Sequence, residues 1–379
     1  MGLAAGWNIA NTGAAASTLH NAYGVSLATV GLLTTALFVT HFGAQIPGGA
    51  LIDRFGARTI GAGALFLIMA GNGIALVVSS FGLAAGARLL IGLGTGGGFV
   101  AGSDWVRGAG ASAAGQGLYG GVSVGGAGLA IGIVPLLTPA LGWRAPYVSA
   151  LIAAAACSPL VLVPVAFEQL RYAGKAAATT ALRTRSLWPL AALHTASFGL
   201  SVIAGNWIVT LLRHDGLSRG AAAAIGALTL LGGLVTRPLA GAAIRRSPRS
   251  AAGLVAASLV CGSAGMALLA LPVHAVALAV GAAAVGLAAG VPFAPAFSGA
   301  QRLVPNAPAA AVGVVNSAAT FAILAATPLV GLTFSLPGHG RIGFAVLAAA
   351  WALALSAVPP ASRALTVGGD RDRVSGPLV

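Results

Sequence analysis

Apolar residues fill this 379-residue chain in consecutive blocks, each close to the roughly 20 residues that a helix needs to cross a 30 Å hydrocarbon layer. Cutting at charges, Pro-Gly turns and polar clusters gives segments 3–21, 26–51, 59–79, 82–103, 114–137, 145–167, 187–211, 220–243, 251–271, 275–299, 309–333 and 342–358. Most connections between them are too short for anything but a reversal. The pattern predicts an all-α integral membrane protein of twelve transmembrane helices.

Composition sharpens that picture. Apolar residues make up 58% of the chain and charged residues 7%, and the mean hydropathy is +0.94. A soluble domain carries about 25% charge, so this chain cannot coat globular surfaces in water. Six carboxylates in all leave little material for hydrolytic dyads or acidic metal clusters, which argues against an enzyme, a metal site or a cofactor. A formal charge of +14 would suggest nucleic acid in a soluble protein. Here the basic residues sit in the gaps between apolar blocks, where they set topology, and no nucleic-acid partner is expected.

The longest gap, 168–186, holds Arg171, Lys175, Arg183 and Arg185 and divides the chain near its middle. It separates an N-terminal six-helix bundle, 1–167, from a C-terminal one, 187–358, with a tail over 359–379. Placing the N-terminus in the cytoplasm puts Arg54, Arg58, Arg107, those four linker residues, Arg245, Arg246, Arg249, Arg302, Arg363, Arg371 and Arg373 inside. Only Arg144, Arg213, Arg219 and Arg341 then lie outside, with Arg88 and Arg237 within spans. The positive-inside bias supports both the span count and cytoplasmic termini in a multi-pass protein of the cell membrane. Internal repetition agrees. Gly49-Ala-Leu-Ile-Asp53-Arg54 follows Pro47, and Gly241-Ala-Ala-Ile-Arg245-Arg246 follows Pro238, half a chain later. Two like-oriented halves imply a binding site between them near the bilayer midplane.

The stretch Gly49-Ala-Leu-Ile-Asp53-Arg54-Phe-Gly56-Ala-Arg58, placed in the turn between the second and third spans, resembles the signature loop of the major facilitator superfamily. Arg88-Leu-Leu-Ile-Gly92-Leu-Gly94-Thr-Gly96 is similar to that family's fourth-helix pattern. The resemblance implies a fold of two six-helix pseudo-repeat bundles and secondary transport of a small molecule by alternating access. It also implies a gating role for the loop, through Gly49, Asp53, Arg54, Gly56 and Arg58 with Asp104 as an added partner. Gly49 and Gly56 would allow reversal and close helix approach. The glycine-flanked Gly-Pro pair of drug antiporters in the fifth helix is incomplete, since Gly121 to Gly128 contains no proline.

Ionisable groups inside a membrane are costly and mark function by default. No carboxylate is expected within a span, which leaves Arg88, Arg237, His41 and His194. A guanidinium stays charged and grips an oxyanion with two parallel hydrogen bonds, so each arginine is a candidate for binding an anionic substrate. The alternatives are a clamp on backbone carbonyls for Arg88 and snorkelling for Arg237. The position of Arg237 also looks like the anion-gripping arginine of nitrate/nitrite and cyanate porters, whereas Phe38 and His41 stand where nitrate porters carry a second-span arginine. His41 and His194 are candidates for a coupling proton or for interhelical hydrogen bonds. Asn8, Asn11, Asn206, Trp207 and Asn316 are candidates for the central cavity or for interhelical adhesion. The 56 glycines, including the run from Gly92 to Gly98, read as helix-packing surfaces, since no strand and no Gly-Lys-Ser/Thr accompany them.

The sequence thus points to a secondary transporter of a small organic or inorganic anion, monomeric in the bilayer, with a proton as the candidate coupling ion. Efflux of hydrophobic compounds is the alternative among transporters, and a non-transporting membrane sensor the alternative outside them.

Overall fold

The computed structural model describes residues 1–109, 113–162, 176–305 and 308–366, with the backbone alone for a few of these, Asp53, Arg54 and Arg107 among them. Among the described residues the chain is helical and contains no strand. The first half comprises α1 (Gly2–Ala14), α2 (Ala16–Tyr23), α3 (Leu27–Phe55), α4 (Ala57–Ala75), α5 (Phe81–Gly108), α6 (Ala113–Leu141) and α7 (Ala145–Leu162). The second comprises α8 (Ala176–Arg183), α9 (Leu187–His194), α10 (Ser201–His214), α11 (Arg219–Arg246), α12 (Ala251–Ala270), α13 (Ala275–Gly290), α14 (Phe293–Leu303), α15 (Pro308–Leu332), α16 (Arg341–Leu353) and α17 (Val358–Thr366).

Ten segments of the described residues are long and apolar enough to cross a bilayer. One of them, Ala114–Val161, is 48 residues long and holds both α6 and α7. The predicted first crossing is built from α1 and α2, which meet at Ala15 and are each too short alone. These two facts reconcile ten segments with the twelve expected crossings. Exposed apolar side chains line the outside, among them Phe66 at 65%, Ile152 at 63% and Val276 at 69%. A surface of that kind faces lipid rather than water.

Local chemistry fixes the ends. The Ser26 hydroxyl accepts from the Thr29 N–H at 3.1 Å to start α3, and the Ser218 hydroxyl accepts from Ala221 N–H at 3.2 Å to start α11. Prolines such as Pro47, Pro135, Pro238 and Pro328 lie within helices; in a packed bundle neighbouring groups tolerate the freed carbonyls.

Three boundaries differ from the sequence expectation. Helix α3 continues through the whole Gly49–Phe55 stretch, so the reversal into α4 falls on Gly56 alone, with φ 82° and ψ 151°. Only glycine occupies that backbone region without strain. The second part of the predicted linker forms α8, and the last crossing runs past 358 through a 3₁₀ turn into α17, as one apolar segment from Arg341 to Leu365.

The two halves meet along α6–α11, α3–α15 and α1–α10. Small residues make this possible: a Cβ on Gly128 would stand 2.8 Å from the Leu231 backbone, and one on Gly31 would stand 3.1 Å from the Pro328 Cα. Antiparallel packing places Gly56, Arg246 and the start of α6 at one end of the bundle, and Gly142 at the other.

Candidate functional site

Towards the Gly56 end, five helical segments bring polar and aromatic groups together around one buried cation. Arg237, on α11, is 2% exposed and donates from Nη1 to the Gly120 carbonyl of α6 at 2.7 Å, a bond that joins the two halves of the chain. Its guanidinium lies 4.2 Å from the Phe293 ring centroid and 5.6 Å from that of Phe198. Aromatic faces carry negative quadrupole density, so the rings stabilise the cation without neutralising it. The Nε of Arg237 is buried and has no hydrogen-bond partner.

His194 contacts the same rings. It stacks on Phe198 with centroids 5.4 Å apart and meets Phe297 edge-on at 4.7 Å. Its Nε2 pairs with the Asn316 Oδ1 of α15 at 3.1 Å. A carbonyl oxygen only accepts, so Nε2 carries the proton and Nδ1 is a bare lone pair, buried and without a partner. Immediately after His194 the helix widens into a π turn, Thr195–Leu200, which carries Phe198. Such turns gather at functional sites because they re-aim side chains from an otherwise regular helix. Across from it, the chain breaks between α13 and α14 at Pro292, and Phe293 and Phe297 follow one turn apart.

Of the sequence-predicted residues, Arg237, His194 and Asn316 therefore converge. The three phenylalanines, Gly120 and the π turn were not foreseen; the one signal was Pro292 interrupting an apolar block.

The other predicted residues lie elsewhere. Arg88, on α5 and fully buried, donates from Nε to the Leu33 carbonyl at 3.1 Å and from Nη1 to Asn11 Oδ1 at 3.2 Å, with Nη2 unpartnered. Asn11 donates onward to the Pro146 carbonyl at 2.9 Å, tying α1 to α7. Asn8 accepts from Asn72 of α4 at 2.9 Å and donates to its own helix at Ala4. These contacts all stay within the first half. Asn206 and Trp207 sit in the seam between halves near the Gly142 end: Thr34 donates to Asn206 Oδ1 at 3.1 Å, and the Trp207 ring lies 3.1 Å from where a Cβ on Gly31 would stand. Trp207 Nε1 donates to the Thr327 carbonyl at 2.8 Å. His41 pairs through Nδ1 with the Thr95 hydroxyl at 3.0 Å and packs on Phe38.

In the gating stretch, a Cβ at Gly49 would find no described atom within 4 Å, whereas one at neighbouring Gly48 would stand in van der Waals contact, 3.7 Å from the Gly97 Cα. Arg58 opens α4 on the surface and Asp104 lies in the last turns of α5. The side chains of Asp53 and Arg54 lie outside the described residues.

Comparison with known proteins places this geometry. The chain aligns with the human organic anion transporter MFSD10 (TETRAN) at 16% identity and a TM-score of 0.66, covering 94% of this chain and 98% of that one. It aligns equally with FucP, a major facilitator superfamily transporter solved in an outward conformation, at 16% identity, TM-score 0.66, and 94% and 96% coverage. At that identity the likeness shows the fold. No curated protein sequence matches the chain. The sequence profile of the Major Facilitator Superfamily matches residues 1–327, and the chain belongs to this family of multi-pass membrane transporters.

Proposed function

We propose that the protein carries a small anion, organic or inorganic, across the cell membrane by alternating access of two six-helix bundles, residues 1–167 and 187–358, hinged at 168–186. The carrying observation is Arg237: a buried cation with no acidic partner among the described residues, bonded across the two halves to a backbone carbonyl that it must release when they separate. A positive charge held in a low-dielectric seam attracts an anion more strongly than it would in water. The contacts at the Gly142 end support a state closed there, with Thr34 donating to Asn206 and Thr35 donating to the Leu324 carbonyl at 2.8 Å.

In this reading the termini are cytoplasmic and the carrier works as a monomer. Asp53, Arg54 and Arg58 act with Asp104 as the latch of the Gly56 end, and His194 rather than His41 is the group placed to exchange a coupling proton beside the ligand. The likeness to nitrate/nitrite and cyanate porters enters through Arg237. Uptake of radiolabelled anions into proteoliposomes tests the proposal. Arg237→Ala is expected to abolish saturable anion uptake while the protein stays folded; undiminished uptake by that variant, or no uptake of any anion by the parent, overturns it.

A further inference from the structure

The composition of the Arg237 site narrows the anion. We infer that the ligand is an aromatic monocarboxylate carrying a hydroxyl group, its ring held among Phe198, Phe293 and Phe297, its carboxylate on Arg237 and its hydroxyl on His194. The inference rests on the reading of Arg237 as an anion grip and goes beyond it to the chemical class bound.

Charge sets the first limit. Among the described residues, Arg237 is the only permanent cation in the cluster, and no acidic side chain contacts it. One guanidinium neutralises one negative charge. A dianion would leave net charge in the membrane interior, where it is costly.

Lining sets the second. Phe198 and Phe293 both flank Arg237 and His194, and Phe297 meets Phe293 with centroids 4.4 Å apart. Three rings offer no hydrogen bonds to replace the water around a nitrate- or acetate-sized ion. They do offer offset and edge contacts to another planar ring. In the present state the cage is folded on itself, with the cation on the face of Phe293. When α6 withdraws and the Gly120 carbonyl leaves Nη1, that face and the guanidinium edge become available together.

The third limit is the pair of unmet polar atoms. Arg237 Nε is a donor without an acceptor, and His194 Nδ1 an acceptor without a donor, and both side chains contact Phe198 and Phe293. A carboxylate satisfies the first. The second needs a donor on the ligand, and a ring hydroxyl provides one while leaving the molecule a monoanion. A site built to hydrogen-bond a hydroxyl discriminates strongly against the analogue lacking it, because the site's own polar group is left unpaired.

The test uses the full chain in proteoliposomes with 4-hydroxybenzoate, benzoate, cyclohexanecarboxylate, acetate and nitrate as competitors of radiolabelled 4-hydroxybenzoate uptake. Half-inhibition is expected at the lowest concentration for 4-hydroxybenzoate, about tenfold higher for benzoate, and higher again for the non-aromatic acids and nitrate. His194→Phe is expected to bring the half-inhibition concentrations of 4-hydroxybenzoate and benzoate together, read by counterflow exchange, which needs no coupling proton. Phe293→Leu is expected to collapse the preference for benzoate over cyclohexanecarboxylate. If acetate or nitrate competes as well as the aromatic acids, or if neither variant changes its ratio, the aromatic assignment is overturned while anion transport stands. If no anion is taken up at all, the transport reading itself fails.

Discussion

Among the described residues two arginines are buried in membrane-spanning helices, one in each half, and their surroundings differ in kind. Arg88 reaches only partners in its own half, the Leu33 carbonyl on α3 and the Asn11 side chain on α1. Asn11 in turn holds α7 through Pro146, so the cation is one node of a polar network that binds four helices together. Arg237 has one hydrogen bond, to the opposite half, and otherwise rests on aromatic faces. The first arrangement survives any rigid movement of one half against the other. The second is broken by it. On the proposed alternating-access cycle such a cation must find another partner for its charge, and that requirement, rather than burial as such, marks Arg237 rather than Arg88 as the proposed ligand-binding arginine.

The sharpest way to break this contrast is to remove each side chain in turn. Arg237→Ala is expected to lower anion uptake about 100-fold, the order expected for a buried charge-assisted pair with its ligand, with little change in the melting temperature of detergent-solubilised protein. Arg88→Ala is expected to do the opposite. It removes two hydrogen bonds and opens a cavity at a fully buried site, costing about 2–4 kcal/mol of stability, while uptake per folded molecule stays within about threefold. Equal loss of uptake in both variants at matched folded protein would erase the distinction. Arg88→Met, which retains much of the volume, should recover part of the lost stability and sharpens the assignment to packing.

The neighbours of the two arginines provide a milder comparison. A methyl group at Gly120 would come 2.6 Å from Phe293 Cε1 and 3.1 Å from Arg237 Nη1, so Gly120→Ala forces the ring and the guanidinium apart. Uptake is expected to fall about tenfold, a loss of roughly 1.4 kcal/mol. Unchanged transport would mean that close contact between α6 and α11 at this level plays no part in the cycle.

How much of this was legible in the sequence depends on what the bilayer enforces. Crossing segments were readable because every buried backbone group must be satisfied within a helix, which demands long apolar runs. Arg88 and Arg237 stood out for the same reason, as costly exceptions. Their partners did not. Backbone carbonyls such as those of Leu33 and Gly120 carry no residue code, and only the pairing of helices decides which carbonyl a guanidinium meets. Phe198, Phe293 and Phe297 were hidden differently: in an apolar segment a phenylalanine facing a site and one facing lipid, such as Phe66, look alike until the inward face of the helix is known. The widening of the helix after His194 has no local signature, since Thr195–Leu200 contains no proline. The end of α3 was misplaced because Gly49 and Gly56 both invite a reversal; backbone geometry used only Gly56.

The smallest expected effect tests the clamp from its other side. Asn11 accepts from Arg88 and donates to Pro146, and its Oδ1 also accepts from the Thr12 N–H at 2.9 Å. Asn11→Ala deletes one of the hydrogen bonds between α1 and α7, the Trp7–Ser149 bond remaining, and leaves Arg88 with the Leu33 carbonyl. Interhelical hydrogen bonds in membranes average about 0.6 kcal/mol, because the separated helices find other partners. A stability loss of about 1 kcal/mol is therefore expected, with uptake and the order of competing anions unchanged. Asn11 is a candidate for the substrate cavity on sequence grounds, and a shift in anion preference in Asn11→Ala would support that role. It would also mean that the Arg88 network reaches the translocation path, which would collapse the two buried arginines into a single functional class.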